Sequence, residues 1–365
     1  MSKDVYTRLR EFMDTLPAGF PATPSGVEIK ILKKLFTPEQ AELTMKLGKE
    51  AEEVGTIAAR IKMDEAVLGP QLEEMAKQGL IFRRRDKDRV SYQASQFLVG
   101  VYEFQLNRLD KEFCQLFEEY LPHIGGTLMA LKTKQLRVIP VESAVEAAPT
   151  VASYNRIREL VKEQEIISLM QCICRKERGL LGKPCAKPQE TCLGFGAFGR
   201  FFIDNHLGRA ISTDEALRIL DQAEEAGLVL NPSNTQELEW ICCCCTCCCP
   251  TLKFVKMMPR PVDWVRAYYR AVIDADLCIA CGECLERCQM AAIKEGADFA
   301  EMIEGRCIGC GLCVTTCPVE AITLQPKPGM EAPPEGLADT LKKIEGERGA
   351  LASTRKLLFD FHIVY

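Results

Sequence analysis

Residues 278–288 read CIACGECLERC and residues 307–318 read CIGCGLCVTTCP. Each sets four cysteines at the spacing C-x2-C-x2-C-x3-C: Cys278, Cys281, Cys284 and Cys288 in the first, Cys307, Cys310, Cys313 and Cys317 in the second. A cubane of iron and sulfide needs four thiolates converging from a short stretch of chain. A tight loop brings three of them, and Gly282, Gly309 and Gly311 let its backbone amides approach the sulfurs. Structural zinc sites also use C-x2-C pairs, but as separated pairs rather than an unbroken run. Two [4Fe–4S] clusters are therefore expected.

The two runs resemble the bacterial-type double [4Fe–4S] ferredoxin module, across residues 274–324. That resemblance implies crossed ligation, with one cluster on Cys278, Cys281, Cys284 and Cys317 and the other on Cys307, Cys310, Cys313 and Cys288. It also implies transport of single electrons rather than catalysis. One position departs from the pattern: Gln289 stands where proline usually follows the fourth cysteine, as Pro318 does in the second run.

A second set of cysteines lies upstream, as Cys172-x-Cys174-x10-Cys185-x6-Cys192 and as the run Cys242–Cys249, interrupted only by Thr246. Seven thiols so close together are an oxidation hazard unless metal or sulfide occupies several of them. Cys172, Cys174, Cys185, Cys192, Cys242, Cys244, Cys245, Cys247, Cys248 and Cys249 are the expected metal ligands. On an extended segment Cys242 and Cys244 face one side and Cys243 and Cys245 the other, so one strand could feed two centres. The four dispersed cysteines could also close a site alone. These thiols allow one or two further iron–sulfur clusters, and two leave fewer reactive thiols without a partner. The order CICR, then KPC, then ICCCCTCCC ahead of a double ferredoxin resembles a group of anaerobic-type multi-cluster iron–sulfur proteins, over about residues 165–320. Cys114 stands apart and reads as a small buried hydrophobe.

Gly194-Phe-Gly196-Ala-Phe-Gly199 satisfies G-x-G-x-x-G, but Lys187–Cys192 before it does not read as a buried strand, which counts against a dinucleotide site. The glycines read better as letting the chain pass close to a cluster near Cys192.

The fold class expected is α+β. An N-terminal extension (1–26) precedes a winged-helix-like helical domain (27–140), a linker (141–152), a cysteine-rich mixed α/β domain (153–265), the double ferredoxin domain (266–325) and a tail (326–365). Thr37-Pro38-Glu39-Gln40 and Ser212-Thr213-Asp214-Glu215 are capping boxes. Leu68, Leu72, Met75 and Ala76 recur at helical spacing, Gly79 stops that helix, and an extended hairpin follows across the basic turn Arg83, Arg84, Arg85, Lys87 and Arg89. Leu72–Leu80 around Gly79 is echoed by Leu220–Leu228 around Gly227. Residues 97–120 read as one amphipathic helix, Pro326–Gly336 as a mobile segment, and Leu357–Tyr365 as apolar enough to dock. The stretch IAARIKMDEAVLGPQLEEMAKQGLIFRRRDKDRVSYQ resembles winged helix-turn-helix regulators, with Ala66–Gly79 in the place of their recognition helix. Asp64, Glu65, Glu73 and Glu74 around that helix would repel a DNA backbone, so a protein-docking role fits better than DNA.

With 46 basic against 51 acidic side chains, no global charge favours nucleic acid or an anionic membrane. No apolar stretch is long enough to span a bilayer, and no leader is apparent. Three widely separated histidines exclude a histidine-based metal site. A cytoplasmic, reducing compartment suits so many thiols. The function expected is an electron-transfer component of an oxidoreductase system, relaying single low-potential electrons to or from a partner redox enzyme. The alternatives are a cluster-sensing winged-helix transcription regulator and a reductase acting at the central cysteine-rich site.

Overall fold

The computed structural model describes residues 3–144 and 152–360, with helices and strands intermixed in an α+β chain. Its described residues form two compact units, one from residues 3–134 and 338–360, the other from the described residues between 135 and 337. No described helix is long and apolar enough to cross a membrane.

In the first unit, α1 (Val5–Asp14), α2 (Val27–Leu35) and α3 (Pro38–Thr44) precede β1 (Glu52–Glu53), α4 (Val54–Ile61), α5 (Glu65–Lys77), β2 (Ile81–Asp86) and β3 (Arg89–Ala94). α1, within the expected N-terminal extension, buries Leu9 and Met13. Thr37 and Gln40 close the capping box at α3. α5 buries Leu68, Leu72, Met75 and Ala76. β2 and β3 form a hairpin around Lys87-Asp88, and β1 pairs with the far edge of β3.

The expected helix over 97–120 is corrected: residues 97–105 form irregular turns, and α6 runs from Lys111 to Ala130. Asp110 starts it, accepting a hydrogen bond from the Phe113 amide at 2.7 Å. The preceding turns instead turn Phe97 and Tyr102 inward, where Tyr102 stacks on Phe117 with ring centroids 3.8 Å apart. Cys114 is buried in α6. The C-terminal helix, Leu337–Asp360, had no expected counterpart, and 361–365 of the docking segment lie outside the described residues.

The second unit opens with β4 (Arg137–Val138) and α7 (Ile157–Lys162); of the expected linker, 145–151 lie outside the described residues. A five-stranded antiparallel sheet follows, built from β5 (Ile167–Gln171), β6 (Glu190–Phe195), β7 (Gly208–Ala210), β8 (Val229–Pro232) and β9 (Trp240–Cys244) in the order β7-β5-β6-β9-β8. α8 (Ile173–Leu180), α9 (Gly196–Asp204), α10 (Thr213–Glu225) and α11 (Pro250–Met257) connect and follow its strands. Then come β10 (Arg266–Ala267), which pairs parallel with β4, β11 (Tyr269–Ile273), α12 (Glu283–Arg287), β12 (Ile293–Glu295), β13 (Ala300–Met302) and β14 (Ile322–Pro326).

The two helix-to-strand joints share one geometry. Gly79 and Gly227 have φ of 70° and 69°, and the next residue's amide reaches back to the helix, Leu80 to Met75 O at 3.0 Å and Leu228 to Ala223 O at 2.8 Å. Residues 326–336 are held rather than loose: the Gln236 and Glu237 amides donate to Pro334 O and Glu335 O at 2.8 and 3.0 Å.

Candidate iron–sulfur and metal centres

The ferredoxin-like region is two ligand loops framed by two small antiparallel ladders, β11 with β14 and β12 with β13. Its halves repeat one another in backbone detail. Ala280 and Gly309, Gly282 and Gly311, and Ala291 and Glu320 occupy matching loop positions, all with positive φ. In both halves the fourth cysteine accepts an amide hydrogen bond from four residues on: Ala292 N to Cys288 Sγ and Ala321 N to Cys317 Sγ, each 3.2 Å. Such amides stabilise charge on sulfur and so raise the potential of whatever the sulfur ligates.

The fourth cysteine of each half meets the other half's loop. Cys288 lines a small pocket together with Cys307, Cys310 and Cys313. Burial raises the Cys284 thiol, and the charges of Cys278, Cys281 and Cys317 add to that rise. Burial likewise pushes Cys310 up to about 12. Two convergent four-thiol sets with amides on their sulfurs suit cubanes, which draw the protons off these thiols on binding.

Gln289, where proline was expected, occupies a junction. Its Oε1 accepts hydrogen bonds from Thr246 N at 3.1 Å and Thr246 Oγ1 at 2.9 Å, and its Nε2 donates to Gly227 O at 2.7 Å. The departure thus ties the turn behind Cys288 to the middle of the seven-cysteine run. Arg287 donates beside it to the carbonyls of Glu224 and Glu225 at the end of α10. Proline at 289 could make none of these side-chain bonds.

In the central sheet, strand register decides which thiols meet. Cys192 on β6 lies opposite Cys242 on β9, so the two share a face, and Cys244 follows on that face. Cys172, Cys174, Cys192, Cys242, Cys244 and Cys249 form one linked group. Cys172 is pulled well below the ordinary thiol range by hydrogen bonds with Cys174 and Cys192, and Cys242 by those with Cys192 and Cys244. The Cys244 thiol, bonded to Cys242 and Cys249, is pushed up in turn.

A separate set, Cys185, Cys245, Cys247 and Cys248, has its four sulfurs within 4.8 Å of one another. Cys185 is thus drawn away from the dispersed cysteines with which a site of its own was conceivable, because its loop closes against the turn after β9. Cys243 joins neither group. It points to the opposite face of β9, is wholly buried, and has its thiol raised by burial.

Arg175, a residue given no role by the cysteine spacing, sits between the groups. It is buried, donating to Thr191 Oγ1 at 2.5 Å, Cys243 O at 2.9 Å and Cys245 Sγ at 3.7 Å. Burial works to lower the guanidinium, yet the Cys172 and Cys245 thiols more than offset it and leave it raised. A buried cation needs compensating charge, and here sulfur supplies it. A lone arginine inside a CxCR motif is the signal that could have exposed it.

The glycine motif has a packing role. Contrary to expectation, the residues before it do form a strand, β6, with α9 starting at Gly196. A Cβ on Gly194 would lie 2.8 Å from Ser168 Oγ, and one on Gly199 would lie 2.6 Å from Gly194 O, so the glycines let α9 lie close against β5 and β6. The sheet is antiparallel, without the parallel βαβ crevice in which dinucleotides sit.

In the first unit the basic turn is partly neutralised. Arg83 is buried and pairs with Glu73 at 2.6 Å, Arg85 reaches the same carboxylate at 3.2 Å, and Tyr92 OH donates to it at 2.9 Å.

Residues 271–324 match the family of 4Fe-4S dicluster domains. No curated protein and no solved structure matches the chain. The match and the cysteine cluster mark an iron–sulfur electron-transfer protein.

Proposed function

We propose that the chain is the electron-transfer component of an oxidoreductase system, holding one [4Fe–4S] cluster on Cys278, Cys281, Cys284 and Cys317 and another on Cys307, Cys310, Cys313 and Cys288. The observation that carries this is that Cys288 of the first half lines one pocket with Cys307, Cys310 and Cys313 of the second. When bound, such clusters supply one-electron reduction and oxidation at low potential. The chain's own residues set direction. Leu277 and Ile279, 52% and 61% exposed beside the exposed Cys281, form an apolar rim suited to a redox partner. On the other side, Gln289 and Thr246 tie the Cys288 quartet to the central cysteines.

The six-thiol group, Cys172, Cys174, Cys192, Cys242, Cys244 and Cys249, is proposed to hold a third iron–sulfur centre, with Arg175 balancing its charge. The arrangement of α4, α5 and the β2–β3 hairpin suits a winged-helix-like docking domain. Glu73 engages Arg83 and Arg85 there, which favours a protein partner over DNA. A reducing cytoplasm suits a chain of twenty cysteines, most of them spaced for metal ligation.

Anaerobic iron and acid-labile sulfide analysis with a potentiometric titration tests the proposal. About twelve irons in clusters per chain are expected, four for each cubane-sized centre. A content near four, or the absence of any low-potential one-electron couple, would overturn it. A gel shift with the chain's own upstream DNA should show no retardation in reduced or air-exposed protein.

A further inference from the structure

All four sulfurs of the Cys185, Cys245, Cys247 and Cys248 set lie within 4.8 Å of one another, the spacing of ligands around a single ion. Sγ of Cys185 lies 3.6 Å from that of Cys247, and Cys247 lies 3.8 Å from Cys248. A metal ion bonded to thiolates at about 2.3 Å in a tetrahedron holds its sulfurs about 3.8 Å apart. A cubane spreads its thiolates wider, because each lies beyond its own iron at a separate corner, with sulfides between. We propose that these four cysteines form a single-ion site, a closed tetrahedral S4 centre for one zinc or iron ion and distinct from the clusters.

The local chain explains why the site forms. The amides of Cys248 and Cys249 both donate to Cys245 O, at 3.3 and 3.0 Å, winding residues 245–249 into one turn. Pro250 then opens α11 at the position where its missing amide costs nothing, which fixes the end of that turn. Three sulfurs are thereby presented from four residues. Cys185 arrives on the loop between α8 and β6, where Gln189 Nε2 donates to Cys185 O at 3.1 Å and Lys187 O at 3.0 Å. An all-sulfur tetrahedral donor set selects zinc or iron among common ions. Four thiolates around a divalent ion carry excess negative charge, and the Arg175 guanidinium against Cys245 offsets part of it.

With all four positions filled by protein, the ion has no open site for substrate, so its role is to fasten the 183–189 loop to the 245–249 turn. Gln289 grips the same turn at Thr246. The site therefore stabilises the surface against which the ferredoxin-like region is held. This inference stands on sulfur geometry alone and survives if the relay reading fails.

The test uses full-length protein purified anaerobically and a Cys185→Ser/Cys247→Ser variant, compared by elemental analysis, acid-labile sulfide and visible absorption. The variant is expected to lose about one metal ion per chain, with sulfide and cluster absorption unchanged. Zinc loss identifies a zinc site, and iron loss without sulfide identifies an iron site. Loss of about four irons together with four sulfides, or no metal loss at all, overturns the inference. If the variant does not fold, the unmodified protein decides: it must contain zinc near one per chain or a sulfide-free iron–tetrathiolate component in its Mössbauer spectrum. Finding neither overturns the inference.

Discussion

The ferredoxin-like region and the central sheet both crowd thiols together, but they do so by opposite means. In the first, Cys307, Cys310 and Cys313 of one loop line one pocket, and Cys288 comes to it from the other half. In the second, consecutive cysteines of one run are dealt to different destinations: Cys242 and Cys244 to one group, Cys243 to the apolar face, Cys245, Cys247 and Cys248 to another group. A loop held by left-handed residues turns its side chains inward, whereas a strand alternates them. Density of cysteine in sequence is therefore a poor guide to nuclearity.

The largest effect that would separate the two regions is expected from Cys281→Ala. It should remove about four irons and one low-potential couple while leaving zinc or iron at the single-ion site untouched. Retention of all iron and of the reduced-state spectrum would break the ligand assignment. Next in size is Arg175→Met, which leaves thiolate charge without its buried cation. Chemical denaturation of the holoprotein should show a loss of about 3–5 kcal/mol, as for breaking other buried pairs. An unchanged midpoint would mean that the sulfurs around Arg175 carry no charge.

A smaller and more local contrast lies between the halves of the ferredoxin-like region. Gly309→Ala would push a Cβ into the carbonyl of Tyr269 at a φ of 67°. The left-handed backbone alone costs about 1–2 kcal/mol, and the overlap adds to it, so slower cluster incorporation and a lower melting temperature are expected. Ala280 holds the matching position at φ 50°, and Ala280→Gly should alter stability by less than about 1 kcal/mol. Equal responses at the two sites would contradict the asymmetry. Comparable to this is Gln289→Pro, which brings the first half to the usual pattern. It removes the bonds to Thr246 and Gly227, worth about 1–3 kcal/mol together. Iron content should hold while hydrogen exchange at the Thr246 amide accelerates. Unchanged exchange would deny Gln289 its tethering role.

Some of this is legible in the amino-acid sequence. The two C-x2-C-x2-C-x3-C runs declare their chemistry because their ligand loops are local: three sulfurs within seven residues need no distant partner to converge. The α3 cap and the stop glycines at 79 and 227 are equally local, each resting on hydrogen bonds within a few residues. The expected helix over 97–120 failed for the complementary reason, since its first part turns inward to fill an aromatic core that joins Phe20, distant in sequence, to Phe97 and Phe117. Alternation along β9 was readable, but the register that sets Cys192 against Cys242 was not, and neither was the closure that carries Cys185 to Cys247. Local spacing along the chain is enough to say which residues are ligand-type and which loops are prebuilt. How the central thiols divide, why Arg175 is buried among them, and what Gln289 does in place of proline emerge when the chain is folded. Those outcomes depend on pairings between segments up to about seventy residues apart, such as Arg175 with Cys245, and side-chain packing across a sheet has no signature in local spacing.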